Sequence, residues 1–482
     1  MISGRSVIKN LSWKFSERVA AQIVTFVVSI VLARIIAPSD YGVVSLVIVF
    51  ITIANVFVSD GLGSALIQKK EADALDFSSA LYFNILFSVV LYLLLFVTAP
   101  FIADFFGEGY EILSPILRVL GLRIIIAAVN SIQGAYVARK MMFEKFFWAT
   151  LWGTVASAAV GIWMAYHDFG AWALVGQNLT NATVGTMILA MALHKRPLFS
   201  FSFARVRILF DYGIKILGSG LLIALYTEAR SFIIGKVYTP ADLAFYDRAR
   251  QFPALFMNSL VATINAVLLP KMASEQDDIS QLKATTKQAI RFTSFLIFPL
   301  MFGLAAVSEP LVRMLLTEKW IACVPLIQFL CISYLWQPIH AANLQAIKAV
   351  GRSDTILKLE IIKKIIETVV LICVMYISVN AIIVSMAVNS SLFVLLNAYP
   401  NRTLLHYSIR EQLIDMSVPF IMSAIMAGVI WFIRFIPMRD VFLLSGQTVV
   451  GGVLYFFLTK CVRLKELDVL VGFIRNFMVR NG

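Results

Sequence analysis

Charged residues lie inside several long apolar stretches of this sequence, where they are the best candidates for chemistry. Arg123, Glu228 and Arg230 lie deep in two of these stretches, and Lys363 and Lys364 lie in a third. A charge at the centre of a membrane costs about 2.5–3.5 kcal/mol on insertion scales, so each needs a partner or a hydrated cavity. Because an arginine fork binds two phosphate oxygens at once, the excess of cations favours an anionic substrate.

Some of these charges also have a purely structural interpretation. Glu360 precedes Lys364 by four residues, and Lys363 precedes Glu367 by four, so both lysines could belong to neutral pairs on one helix. Glu228 lies only two residues from its arginine neighbour, so the two side chains point to different faces of a helix. We expect Glu228 to serve in ion coupling, because a carboxyl among apolar helices can take up a proton.

Uncharged amides form a second group of candidates inside the apolar stretches. Amide groups bind sugar hydroxyls well, and the alternative is that they only hydrogen-bond neighbouring helices to each other. The amides that we expect to line a cavity are Asn84, Asn130, Gln133, Gln177, Asn181, Asn258 and Asn265.

The composition places these residues in a membrane protein. Of 482 residues, 60% are hydrophobic and 14% are charged, and the mean hydropathy is +0.85. A soluble domain of this size cannot bury so much apolar surface. The four cysteines and four histidines have no metal-ligand spacing, so the sequence predicts no metal and no cofactor.

The apolar stretches predict an all-α polytopic protein with about 14 transmembrane helices, since a bilayer needs roughly 20 apolar residues per helix. The predicted spans are Val19–Ile36, Tyr41–Val58, Ala80–Ile102, Ile116–Val137, Phe147–Tyr166, Ala171–Leu193, Ile214–Val237, Phe252–Leu269, Phe292–Val307, Ala322–Ile347, Leu359–Val379, Ala381–Tyr399, Val418–Ile436 and Val441–Lys460.

The loops between these spans predict the orientation. Most of the 41 lysines and arginines fall in the loops on the same side as the N-terminus. Positive loops stay in the cytoplasm, so we expect both termini to be cytoplasmic. The net charge of +13 therefore mainly reflects the membrane topology. Attraction of the cytoplasmic loops to anionic lipid headgroups is a secondary consequence. The charge gives no reason to predict a nucleic-acid partner.

A short block near the start recurs in the second half of the chain. Pro38 and Asp40 recur as Pro240 and Asp242, with a cation four residues before each proline. The block is either a common turn or the mark of two parallel six-helix repeats. With the repeat, the predicted division is an interfacial segment 1–18, an N-lobe 19–193, a cytoplasmic connector 194–213, a C-lobe 214–399, a helix pair 418–460 and a cytoplasmic tail 461–482.

Three stretches resemble Wzx-type polysaccharide flippases, closest to the branch of the colanic-acid and teichuronic-acid exporters. They are Leu32-Ala-Arg34-Ile-Ile-Ala-Pro38-Ser-Asp40-Tyr-Gly42, Asp60-Gly-Leu-Gly63-Ser-Ala-Leu66-Ile-Gln68 and Leu268-Leu-Pro270-Lys-Met-Ala-Ser-Glu-Gln276-Asp-Asp278. The family belongs to the superfamily of the MATE drug exporters and lipid II flippases. The resemblance spans roughly residues 15–400, and its motifs are turns and loops rather than catalytic signatures.

The resemblance implies a flippase in the inner membrane that moves undecaprenyl-diphosphate-linked oligosaccharide units by alternating access, for surface polysaccharide biosynthesis. It implies lipid-linked oligosaccharide and membrane lipids as partners, together with the polysaccharide polymerase and export machinery. Arg123 and Arg230 would then hold the diphosphate, followed by Lys363 and Lys364. In the lipid II branch, a final helix pair helps to line a groove for the lipid tail.

Other classes of protein stay open. A MATE-type cation-coupled multidrug antiporter shares the architecture, but its cavity favours acidic and aromatic residues, whereas the deep charges here are mostly cationic. A membrane glycan polymerase or ligase usually has a large outer loop, and the outer loops here are short, so we expect no enzyme. A major-facilitator carrier has a Gly-x-x-x-Asp-Arg type motif between its second and third spans, and this sequence lacks it.

Overall fold

A computed structural model describes residues 22–59, 61–193, 199–468 and 472. Regular structure within these residues is helical. The helices are α1 (Gln22–Ile35), α2 (Pro38–Ser59), α3 (Leu62–Gln68), α4 (Ala74–Phe106), α5 (Leu113–Leu120), α6 (Leu122–Lys140), α7 (Phe143–Tyr166), α8 (Ala171–Leu193), α9 (Phe203–Val237), α10 (Pro240–Ser274), α11 (Ile279–Leu316), α12 (Cys323–Leu335), α13 (Gln337–Ala349), α14 (Ser353–Val374), α15 (Val379–Leu404), α16 (Ile409–Ile433) and α17 (Asp440–Cys461). The predicted interfacial segment 1–18 and most of the predicted tail lie outside the described residues.

The helices confirm the all-α membrane fold, and within the described residues each predicted span lies mostly on one helix or on two consecutive helices. In the described part of the chain, nine helical segments are long and apolar enough to cross a membrane. The other predicted spans correspond to α1, α8, α10, α12 with α13, and α14. Three of these spans fall outside the nine for visible reasons. Charged residues interrupt α14, Trp336 separates α12 from α13, and the described part of α1 is short. The count of fourteen therefore stays a prediction.

The described chain forms two compact units, residues 1–244 and 245–482. In the first unit, α2 packs against α6 and α9, α4 packs against α6, and α7 packs along α8. In the second unit, α11 packs against α12, α13, α16 and α17. Because α9 packs with α2, α3 and α4, the boundary between the units falls after the predicted connector, and α9 already begins inside that connector, at Phe203. The division into two superposable six-helix lobes stays a prediction.

Both copies of the repeated block begin a helix. Pro38 and Pro240 are the first residues of α2 and α10, a position where the missing proline N–H is harmless. In the second copy, Asp242 accepts a hydrogen bond from the Thr239 backbone N–H at 3.2 Å, which caps the helix. The copies lie against each other, since a Cβ built on Gly42 would be 1.7 Å from the Pro240 carbonyl oxygen. Only glycine fits this contact.

A buried carboxylate ties helix ends together in the first unit. Asp76, in the first turn of α4, is fully buried and lies 2.7 Å from Lys69 Nζ and 3.2 Å from Arg205 Nη1. Asp73 and Asp76 also form a capping box, in which each side chain accepts from the other's backbone N–H. Arg139, near the end of α6, donates to the carbonyl oxygens of Leu66 at 3.0 Å and Lys70 at 2.6 Å. These contacts hold α3, α4, α6 and α9 together, and α6 also lines the cavity described next.

Candidate functional site

A polar cavity of about 230 Å³ lies in the first unit among α2, α6, α7 and α8. Its lining combines one guanidinium with amide and hydroxyl groups. The residues that line it are Asn55, Ser59, Arg123, Ile126, Ala127, Asn130, Phe146, Ala149, Thr150, Asn181, Ala182, Gly185, Thr186 and Leu189. Three of the predicted site residues, Arg123, Asn130 and Asn181, are thus brought together by the fold.

Arg123 is the cation of this cavity. It lies in the first turn of α6, about 15 Å along the span that starts at Leu113, which is half of a hydrocarbon core of about 30 Å. Its Nη1 donates to Asn178 Oδ1 at 3.2 Å, and Asn178 in turn donates to the Leu174 carbonyl at 2.9 Å. A guanidinium has five N–H donors. Arg123 therefore keeps donors for an anion while Asn178 orients it.

The amides and hydroxyls of the cavity can bind sugar hydroxyls. Asn130 Nδ2 donates to Thr186 Oγ1 at 3.2 Å, and Asn181 Nδ2 donates to Ser157 Oγ at 3.4 Å. Asn55 Oδ1 is buried and has no hydrogen-bond partner among the described residues. These groups offer both donors and acceptors in the space next to Arg123, which is the combination that a glycan attached to phosphate requires.

The other predicted amides of the first unit have different surroundings. Asn84 is 2% exposed, and its Nδ2 donates to the carbonyl oxygens of Val58 at 3.0 Å and Ala128 at 3.1 Å. Asn84 thus fastens α4 to α2 and α6, which is the structural alternative, and it does not line the cavity. Gln177 packs beside Gly161, and Gln133 has a buried Oε1 without a partner in the described part of the chain. Neither is part of the cavity lining.

Arg230 and Glu228 are half-buried on α9 and do not line the cavity. The Arg230 guanidinium lies 5.7 Å from the centre of the Tyr226 ring. A separation of two residues places the charges on different faces of α9, as predicted. The assignments of Arg230 to the diphosphate and of Glu228 to ion coupling stay predictions.

Lys363 and Lys364 form ion pairs on their own helix, which is the structural alternative that the sequence left open. Lys363 pairs with Glu360, and Lys364 Nζ lies 3.3 Å from Glu367 Oε2, so both of these pairs have a spacing of three residues. Spacings of three and of four residues both put side chains on one helix face, so rotamers decide between them. Each cation already has an anionic partner, which weakens the case for diphosphate binding by α14.

Two predicted amides belong to α10. Asn265 Oδ1 accepts from Gln345 Nε2 at 2.7 Å, a contact between α10 and α13 within the second unit. The side chain of Asn258 lies outside the described residues. Neither observation places these residues in a cavity, and their role in a path stays a prediction.

The sequence interpretation missed Asn55, Ser59, Thr150 and Thr186, which line the cavity. A signal for the first two was present, because residues four apart share one face of a helix, and both follow an apolar run in α2. The threonines carry no such signal, since threonine is common in apolar helices and often bonds its own backbone.

An apolar cleft of about 310 Å³ lies in the second unit between α11 and α17. Its lining is Phe295, Leu296, Pro299, Leu300, Gly452, Tyr455, Phe456, Thr459 and Leu467. It lies against α17, which belongs to the final helix pair, and its lining is nearly free of polar groups.

The fold is that of a polytopic helical membrane protein, and its first unit contains a polar cavity with one cation among the described lining residues. Residues 31–325 match the family described as "Polysaccharide biosynthesis protein". The match covers more than half of the chain, and the chain belongs to this family.

Curated relatives agree with this assignment. The succinoglycan biosynthesis transport protein ExoT of Rhizobium meliloti is 23% identical over 335 residues, which are 69% of this chain and 67% of the relative. The teichuronic acid biosynthesis protein TuaB of Bacillus subtilis is 25% identical over 305 residues, which are 62% of each protein. The lipopolysaccharide biosynthesis protein WzxC of Escherichia coli K12 is 23% identical over 335 residues, 69% of this chain and 68% of the relative. The matched region thus spans about two thirds of these relatives.

Solved structures share the fold. The lipid II flippase MurJ in an inward closed conformation matches with a TM-score of 0.74 at 14% identity, over 94% of this chain and 98% of that one. A multidrug resistance MATE family transporter in an inward-facing conformation matches with a TM-score of 0.62 at 15% identity, over 80% of this chain and 94% of that one. The predicted family is confirmed, and so is the expectation of a transport protein that is not an enzyme.

Proposed function

We propose that this protein is a flippase that moves undecaprenyl-diphosphate-linked oligosaccharide units across the inner membrane by alternating access, for surface polysaccharide biosynthesis. The observation that carries the proposal is the polar cavity with Arg123 as its cation. Family membership and the transport role named for ExoT support it.

The chemistry of such a substrate explains the make-up of the cavity. A diphosphate loses most of its hydration when it enters an apolar bundle, and a fixed guanidinium compensates with charge-assisted hydrogen bonds. The adjacent amides and hydroxyls take the place of water around the first sugars. In this account Arg123 binds the diphosphate, Asn130 and Asn181 contact the glycan, and the lipid tail stays in the hydrocarbon.

The cavity lining also distinguishes the proposal from a MATE-type drug antiporter. A cationic drug needs carboxylates or aromatic faces. The first-unit cavity is lined by one arginine and one phenylalanine and by no carboxylate among the described residues. Its charge therefore suits an anion.

The same proposal implies a location and partners. We place the protein in the inner membrane with both termini in the cytoplasm, on the basis of the loop charges. Loading would occur from the cytoplasmic leaflet, where lipid-linked units are made, and the released unit would pass to a polysaccharide polymerase and the export machinery.

Complementation tests the proposal. A strain that lacks its own polysaccharide flippases and carries this gene with its cognate glycosyltransferases should regain surface polysaccharide. The same strain should gain no resistance to cationic drugs. Restored drug resistance without surface polysaccharide would refute the flippase and support the antiporter.

A further inference from the structure

A series of polar side chains runs through the second unit along α13, α15 and α16, and all of them are buried except His340, which is half-buried. We call this series the polar track. It consists of His340, Asn397, Asn343, Asn401, Gln412 and Asp415. Its asparagines and its glutamine are at most 1% exposed, and Asp415 is 7% exposed. Polar groups this deeply buried are costly unless they are satisfied, so a series of them needs an explanation.

At the first end of the polar track, a histidine lies near an ion pair. Asn397 Nδ2 lies 3.0 Å from His340 Nδ1. Lys363 lies within electrostatic reach of His340 and pairs with Glu360 on the same helix. His340 is about 14 Å from the end of α13 at Ala349, close to half of the hydrocarbon thickness.

The middle of the polar track is formed by amides one helical turn further on. Asn401 Nδ2 donates to Asn343 Oδ1 at 2.6 Å, and Asn343 Nδ2 donates to Gln412 Oε1 at 3.0 Å. These bonds link α13, α15 and α16 in a single hydrogen-bonded series. Asn343 and Asn401 follow His340 and Asn397 by three and four residues on the same two helices, so the amides lie about one helical turn nearer to the start of α16.

At the second end of the polar track, Asp415 lies close to a partly exposed lysine. Asp415 lies one turn after Gln412, accepts from the Tyr407 hydroxyl at 2.7 Å, and lies 3.2 Å from Lys287 Nζ. The Lys287 side chain is 40% exposed. Asp415 and Lys287 lie near the starts of α16 and α11, in segments that the charge bias predicts to be cytoplasmic.

Three atoms of the polar track have no hydrogen-bond partner among the described residues. They are Asn397 Oδ1, Asn401 Oδ1 and Gln412 Nε2. Buried polar atoms are rarely left unsatisfied, and polar interiors bind water that makes two to four hydrogen bonds. Amides do not relay protons, but water molecules held between them do. The partnerless atoms thus mark positions where water completes the series.

We propose that the polar track conducts protons between the His340 site and the end of the unit at Asp415, and that protonation of His340 couples a pH gradient to transport. Histidine is the side chain that titrates near neutral pH. A metal cation is disfavoured because the Lys363 ammonium repels it, and the described residues contain no cluster of three or more His, Cys, Asp or Glu side chains.

Proton uptake at His340 can be written atom by atom. Asn397 Nδ2 lies 3.0 Å from His340 Nδ1, and in the tautomer in which the amide donates to Nδ1, the single proton of the neutral ring is on Nε2. A second proton binds at Nδ1 only when Asn397 turns its amide and accepts through Oδ1, the atom that has no partner among the described residues. Asn397 therefore changes orientation with the charge of His340, which gives a two-state element on α15.

The charges that act on this equilibrium come from α14. There Lys363 pairs with Glu360, and Lys364 pairs with Glu367. The helix α12 has no charged residue, and the single charge of α15 is Arg402 in its last turn. The basic side chains of α11 lie towards the two ends of the helix, where they form ion pairs with Asp415, Glu411, Glu466, Glu309 or Glu318.

The inference rests on the proposed function and has its own test. Purified full-length protein is placed in vesicles with undecaprenyl-diphosphate-linked oligosaccharide, and the membrane potential is clamped. Flipping is followed by access of a glycan-cleaving enzyme, with and without a pH gradient of about one unit. Such a gradient changes the protonated fraction of a histidine up to about tenfold. We expect a several-fold change in the wild-type rate, and a change below about twofold for His340→Asn.

Matched variants separate conduction from folding. His167→Asn removes an exposed histidine of the first unit and should keep the full response. Asn401→Leu interrupts the polar track one helical turn away from the His340 ring, and this variant should lose the response to the pH gradient. It provides the test even if His340→Asn fails to accumulate. Flipping that ignores the gradient, or variants that respond like wild type, would overturn the proton route and leave the flippase intact. An absence of flipping at every pH would overturn both.

Discussion

Replacement of Arg123 probes the proposed diphosphate site. In the structure one N–H of the guanidinium is used by Asn178, and the remaining donors can make two charge-assisted bonds to a diphosphate. Each such bond contributes about 1.5–3 kcal/mol. Arg123→Ala removes both, so apparent substrate affinity should fall by a factor of about 10² or more. Arg123→Lys keeps the charge and one bond, so the loss should be about tenfold to a hundredfold.

The assay is the concentration dependence of flipping in vesicles, with protein amount matched by immunoblot. Arg118→Ala is the matched control. Arg118 lies one and a half turns earlier in the same predicted span, and its Nε donates to the Phe96 carbonyl at 3.2 Å, away from the cavity lining. We expect little change in the half-saturating concentration for this variant. Equal effects of Arg118→Ala and Arg123→Ala, or unchanged kinetics for Arg123→Ala, would refute the assignment of Arg123.

Three further predictions concern stability and topology. Asp76→Asn leaves Lys69 and Arg205 without a buried counter-charge, so it should destabilise the protein by about 3 kcal/mol in detergent, while Glu71→Gln on the exposed loop should not. Gly42→Ala should lower the melting temperature because its Cβ would meet the Pro240 carbonyl, whereas Gly134→Ala has no atom within 4 Å and should be tolerated. A cysteine at Glu108 should react with an impermeant reagent from outside, and one at Lys70 should not; the reverse pattern would contradict the orientation.

The sequence was sufficient for the fold because apolar length is a strong signal. Helices occupy most of each predicted span in the described residues, and the helix starts at Pro38 and Pro240 agree with proline chemistry. Arg123 could also be found from the sequence, since an arginine so far inside a span needs a polar environment. Its partner Asn178 is 55 residues away in the chain, and no local pattern links them.

The parts that could not be predicted depend on side-chain packing. Asn84 and Asn130 look alike in sequence, yet Asn84 fastens three helices while Asn130 faces the cavity. Which face of each helix meets a neighbour decides this, and helices that are apolar on all sides carry little information about it. The same limitation applies to His340, which appeared as one of four scattered histidines and lies in a polar network that only the tertiary contacts bring together.

Direct observation of flipping by the purified protein tests the central claim. Vesicles are prepared with undecaprenyl-diphosphate-linked oligosaccharide in both leaflets, and the fraction of glycan open to external enzyme is measured over time. Without flipping, only the glycan of the outer leaflet is cleaved. We predict that the wild-type protein exposes the glycan of the inner leaflet as well, and that Arg123→Ala does so more slowly at low substrate concentration. Glycan exposure no faster than in protein-free vesicles, with correctly folded protein present, would contradict the account.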